Sequence, residues 1–156
     1  MPMPLTALAA RPPDPPGAGP VGPRLCDAAG RPLRILIAED EALVAETIRD
    51  MIGAAGGESV GVIATALATV GAAGVIQPDV VLMDICLAGE MDGIDAAGII
   101  RAHRATPVVF ITGAALNADM QARLAPLGHV ELVCKPIDSA DLCAAVLRAN
   151  RAAFVR

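Results

Sequence analysis

From Leu33 onward the chain alternates short β-branched runs with alanine-rich stretches, each pair separated by turn residues. That alternation reads as repeated βα units around a parallel sheet, an α/β architecture. Strands are predicted over 34–39, 59–63, 80–84, 108–112 and 130–134. The helix after the first strand places Val44, Ile48, Met51 and Ile52 on one face and ends at Gly56-Gly57. Further helices are predicted over 66–76 and 94–103, and one that carries Leu116, Met120 and Leu124. The last helix is capped by Asp138 or Ser139 and has Leu142, Ala145, Val146 and Ala149 on one face. Five such units fill the chain from Leu33 to its end, which leaves no residues for a second domain.

Residues 1–32 differ in kind. They hold most of the 13 prolines with scattered glycine and almost no apolar periodicity, so a disordered extension is expected ahead of a domain spanning 33–156. The core of that domain must be tight and rich in small side chains, because 54% of the chain is hydrophobic but only 1% is aromatic. Twelve basic against 17 acidic residues give a net charge of -5, with no Lys/Arg run to serve as a nucleic-acid footprint, so direct DNA binding is not expected. Cys26, Cys86, Cys134 and Cys143 lack metal-ligand spacing and read as reduced, mostly buried cytosolic thiols. No export signal is visible. The uncharged stretch 59–78 is long enough to raise a membrane span, but its glycines and its β-branched-then-alanine pattern read as a strand joined to a small-residue helix.

The polar residues that end the strands carry the chemistry, since ligands of an open parallel sheet sit beyond the carboxyl ends of its strands. These residues are Glu39 and Asp40, Asp84, Thr112, and Lys135 just past the fifth strand. Three converging carboxylates repel one another unless a cation is shared. An all-oxygen set without His or Cys suits a hard divalent ion, Mg²⁺ before others. With an ammonium and a hydroxyl beside it, this is equipment for phosphoryl transfer, and Asp84 is the central carboxylate nucleophile.

Together Glu39-Asp40, the strand from Pro78 through Asp84, the loop Met91-Asp92-Gly93, the strand 107–112 and Lys135-Pro136 resemble a bacterial response-regulator receiver domain of the single-domain type. The resemblance implies a doubly wound, flavodoxin-like sheet in order 2-1-3-4-5 with helices on both faces. It makes Asp84 the phosphoacceptor and Glu39, Asp40 and Asp84 the acids around Mg²⁺, with the Cys86 backbone carbonyl as a further metal ligand. Thr112 becomes the phosphoryl-sensing hydroxyl and Lys135 the counter-ion, followed by a cis prolyl bond. A sensor histidine kinase or histidine phosphotransfer protein would donate the phosphoryl group, in the cytoplasm. The output would be a phosphorylation-dependent contact with a downstream protein, and a homodimer stays open.

Such domains commonly carry an aromatic residue three positions before the lysine, where this chain has Leu132. That departure motivates an alternative, a phosphate-independent interaction module on the same fold. A phosphohydrolase with an Asp nucleophile is a third reading, weakened because Cys86 stands where its second acid is wanted. His103 and His129 have no neighbouring acid arranged for proton transfer and read as incidental. The helix over 66–76 has no charged residue, which reflects either alanine-rich composition or a protein contact.

Overall fold

A computed structural model describes residues 23–155. The chain runs β1 (Arg34–Ala38), α1 (Ala42–Ala54), β2 (Glu58–Ile63), α2 (Ala66–Ile76), β3 (Val80–Asp84), α3 (Gly93–His103), β4 (Val108–Thr112), α4 (Ala118–Leu124), β5 (Glu131–Cys134) and α5 (Ser139–Ala153). The five strands form one all-parallel sheet in the order β2-β1-β3-β4-β5.

Because successive strand side chains point to opposite faces, each central strand feeds two cores. Ile35, Ile37, Val80, Leu82, Val109 and Ile111 pack with α1 and α5 on one face. Leu36, Val81, Met83, Val108 and Phe110 pack with α2, α3 and α4 on the other. β3 and β4 are buried at every position, as interior parallel strands should be. The uncharged stretch resolves into β2 and α2, with Thr65 capping the helix through its side chain, which accepts from Ala68 N–H at 3.3 Å. Among the described residues no helix is long and apolar enough to cross a membrane.

Several expectations need correcting. Most of the extension over 1–32 lies outside the described residues, but residues 24–32 are folded rather than disordered. Leu25 is fully buried, its N–H bonds Ala55 O at 2.9 Å, and its carbonyl accepts from Leu33 N–H at 2.9 Å. The intervening turn is closed by Asp27 Oδ1, which accepts from the Ala29 and Arg31 N–H groups, each at 2.9 Å. One apolar side chain with a vacant place between α1 and the sheet outweighs proline-rich composition. Gly57 keeps that place tight but open, since a Cβ there would come within 2.9 Å of Ile52 Cγ2 and 3.1 Å of Leu25 Cβ.

The helix expected on Leu116, Met120 and Leu124 begins only at Ala118. Asn117 caps it by accepting from Met120 N–H at 2.8 Å, and Leu116 packs against the core from the preceding loop. The thiols are less buried than expected: Cys143 is buried, Cys26 half-buried, and Cys86 and Cys134 are exposed, all four free. Both exposed thiols lie at strand ends, where the chain leaves the sheet's packed faces. His129 does have an acid beside it, with Nε2 3.0 Å from Glu131 Oε1. A period-two neighbour on an extended chain supplies it.

Candidate phosphoacceptor site

β3 ends with Asp84 at the sheet's carboxyl edge, 4% exposed. The chain turns at once, and Asp84 Oδ1 accepts from the Cys86 N–H at 2.9 Å. Asp84 Oδ2 accepts from Lys135 Nζ at 3.0 Å. Lys135 is held there by the end of β5: its backbone N–H bonds Thr112 O at 2.8 Å, and the Lys135-Pro136 peptide is cis.

Beside Asp84, on the loop after β1, Glu39 is 2% exposed and Asp40 is exposed. Glu39 Oε1 accepts from Glu41 N–H at 3.0 Å. Glu39 Oε2 is buried with no hydrogen-bond donor, although Lys135 Nζ stands 3.1 Å away as an ion-pair contact. Carboxylate oxygens of Glu39, Asp40 and Asp84 all lie within 4.8 Å of one another.

Burial and the Asp84 charge push the Glu39 carboxyl above its ordinary range, against the opposing pull of the Glu41 N–H and Lys135. Lys135 shifts the other way from what burial alone would do. Desolvation disfavours its charge, but the hydrogen bond to Asp84 and the Glu39 carboxylate 3.1 Å away overcome that and push it up to about 12.

These features fit a hard divalent cation. The donor set is all carboxylate, and one buried oxygen lacks a donor. Glu39, Asp40 and Asp84 are the residues placed to hold such an ion. Thr112 ends β4 at the same edge, but both hydrogen bonds of its hydroxyl go to Ala114: Oγ1 donates to the carbonyl at 2.9 Å and accepts from the N–H at 3.2 Å. Leu132 is on β5, 39% exposed.

Glu41 and Arg123 are not singled out by the sequence, and Gly93 only as part of the loop Met91-Asp92-Gly93. Glu41 Oε1 lies 3.7 Å from Lys135 Nζ. Its position two residues past Glu39, where strand gives way to helix, is the signal that could have found it. Gly93 opens α3 so close to β3 that a Cβ there would collide with the Asp84 carbonyl oxygen. Arg123 reaches from α4 to Asp92, the α3 cap, at 2.7 Å and to Asp95 at 2.9 Å; nothing in local spacing joins residues so far apart. Burial opposes ionisation of Asp92, yet the Arg123 guanidinium and the Asp95 and Ile94 N–H groups hold its carboxyl below the usual value.

Comparison with known proteins agrees with this geometry. A family model for the response regulator receiver domain matches residues 35–147. The transcriptional regulatory protein PdtaR of Mycobacterium tuberculosis is 36% identical over 125 residues, which cover 80% of this chain and 60% of that protein, so the chain spans about three-fifths of this relative's length. Among solved structures, the signal receiver domain of a modulated diguanylate cyclase from Desulfovibrio desulfuricans superposes with a TM-score of 0.74 at 27% identity, covering 80% of this chain and 98% of that one. The response regulator PhyR of Brucella abortus gives 0.65 at 31% identity over 80% of this chain and 50% of its own. A parallel sheet in this order, an acidic edge centred on the end of β3, and a family match that runs from β1 into α5 lead to one assignment: the chain belongs to the response-regulator receiver domain family.

Proposed function

We propose that this chain is a phosphoryl-accepting response regulator in which Asp84 takes a phosphoryl group from a histidine kinase or histidine phosphotransfer protein. The observation that carries the reading is the Asp84 carboxylate itself, buried at the sheet edge with Lys135 on one oxygen and two further acids close by. In the transfer an Asp84 carboxylate oxygen attacks phosphorus, the bond from phosphorus to the donor's imidazole nitrogen breaks, and an acyl phosphate forms. Mg²⁺, held by Glu39, Asp40, Asp84 and the Cys86 carbonyl, would supply neutralisation of the phosphoryl charge.

Lys135 already sits 3.0 Å from Asp84 and offers a fixed positive charge to the phosphoryl oxygens. The Cys86 N–H orients the carboxylate. Thr112 reaches a phosphoryl oxygen only after its hydroxyl leaves Ala114, which ties acceptance to a rearrangement of the loop after β4. The outcome is a phosphorylation-dependent contact with a downstream protein. PdtaR is named a transcriptional regulator, but with 12 basic against 17 acidic residues and no Lys/Arg run this chain is better suited to a protein contact than to a DNA contact.

Incubation with acetyl phosphate and Mg²⁺ should produce a slower band on a phosphate-affinity gel, absent in Asp84→Asn. No shift, or an undiminished shift in that variant, sinks the proposal. Leu132 favours one second reading, a module whose partner contact ignores phosphate. Equal partner affinity with and without a beryllofluoride mimic would select it.

A further inference from the structure

Helix α2 carries no charged residue, yet its outer face is not featureless. Leu67 is 69% exposed and Val75 88% exposed, and Gly71 between them is exposed too. Each is four positions from Gly71, so the three form one i, i+4 ridge that is symmetric about the glycine. A side chain built on Gly71 would meet nothing within 4 Å, so the glycine is not demanded by packing inside the domain.

The seam between α2 and α3 is charged only toward its ends. A groove of about 530 Å³ at the Leu67 end is bordered by Glu90. A groove of about 420 Å³ at the Val75 end is bordered by Arg104. Among the described residues neither of these two side chains has a hydrogen bond or ion pair.

We infer that the Leu67–Gly71–Val75 ridge of α2 is a two-fold dimer interface whose occupant is a second copy of this chain. A two-fold axis crossing α2 at Gly71 lays the helices antiparallel, so Leu67 of one copy meets Val75 of the other, twice. Gly71 faces Gly71 and lets the backbones approach, with i, i+4 ridges interleaving. The same operation brings the free Glu90 of each copy to the free Arg104 of its mate. A self-complementary patch of this kind is what an isologous contact requires. A partner of another kind would have to carry the reversed charge pair and a matching ridge, both of which this surface already offers to itself.

Sedimentation equilibrium of the whole chain tests it. The wild-type protein should dimerise with rising concentration, more weakly at high salt because the end pairs are exposed. Gly71→Arg should be monomeric at the same concentrations with an unchanged circular dichroism spectrum, since the position is open to solvent. Glu90→Arg and Arg104→Glu should each weaken dimerisation by roughly tenfold, and the double exchange should restore it. The exchanges sit on exposed side chains and keep the test decisive even if Gly71→Arg misfolds. A wild-type monomer at millimolar concentration would overturn the inference and leave the ridge to another protein. So would a dimer indifferent to Gly71→Arg, or a double exchange no tighter than the singles.

Discussion

Two clusters of charge lie one loop apart and are built on opposite terms. Around Lys135, Asp84 stands at 3.0 Å, Glu39 at 3.1 Å and Glu41 at 3.7 Å, with Asp40 beside them. Around Arg123, Asp92 stands at 2.7 Å and Asp95 at 2.9 Å, at the amino end of α3. Both hold more acids than bases, but only the second is satisfied. Asp92 collects two backbone N–H groups and a guanidinium at the positive end of a helix, and its carboxyl is held low. Glu39 is buried with an oxygen that no donor serves, and its carboxyl is pushed up. The Arg123 cluster is complete within the chain, whereas the Lys135 cluster is left short of positive charge where a cation and a phosphoryl group would come.

If that contrast is right, removing Lys135 should hurt chemistry most. Lys135→Met should slow acetyl-phosphate labelling of Asp84 by about 100- to 1000-fold, the usual effect of removing one preorganised charge from a transferring group. Arg123→Met should label at a rate near wild type. Similar losses in the two variants would erase the distinction.

Gly93 stands between the clusters, next to Asp92 in sequence and against the Asp84 carbonyl in space. Gly93→Ala should cost about 2 to 3 kcal/mol of stability by urea unfolding, because overpacking against backbone forces a shift. A loss under half a kilocalorie would mean that the loop yields easily.

The unsatisfied cluster should also answer to metal. Mg²⁺ at a hundredfold excess over its Kd should add about 2.7 kcal/mol to folding stability in thermal melts. The gain should shrink in Asp84→Asn and persist in Arg123→Met. Protons compete with the metal at Glu39, whose raised carboxyl makes the gain fade from a higher pH than an ordinary Glu would.

The smallest effect belongs to the complete cluster. Arg123→Met should lose about 0.5 to 1 kcal/mol at neutral pH, as partly exposed ion pairs do. The folded Asp92 carboxyl lies below its ordinary 3.8, so the stability it lends is present above that value and disappears as pH falls through the lower folded one. Urea midpoints of variant and wild type should therefore converge in strong acid. A gap that persisted there would assign the loss to packing of the Arg123 stem.

Much of this was legible in the chain. Strand runs such as 80–84 and 108–112 and the helix over 66–76 match the observed elements residue for residue, because β-branched runs between turn residues have little alternative in an α/β pattern. Glu39, Asp40, Asp84, Thr112 and Lys135 do end up at one edge, for the topological reason that parallel strands all finish on the same side. Element starts were less legible. α4 begins two residues after Leu116 because Asn117 captures the first turn, a local hydrogen bond that periodicity does not register. Leu25 was invisible as core because its burial depends on Gly57 and α1, far along the chain.

By itself the sequence determined the order of strands and helices and the identity of the acids and lysine, since these follow from local pattern and from which residue stands at each strand end. Tertiary structure alone decided the state of those groups. It buried Glu39 without a donor, turned Thr112 onto Ala114, and carried Arg123 to Asp92. It also left Leu67, Gly71 and Val75 bare between Glu90 and Arg104. Burial, charge proximity and exposure are set by what packs against a residue, and its neighbours in space lie mostly outside any window along the chain.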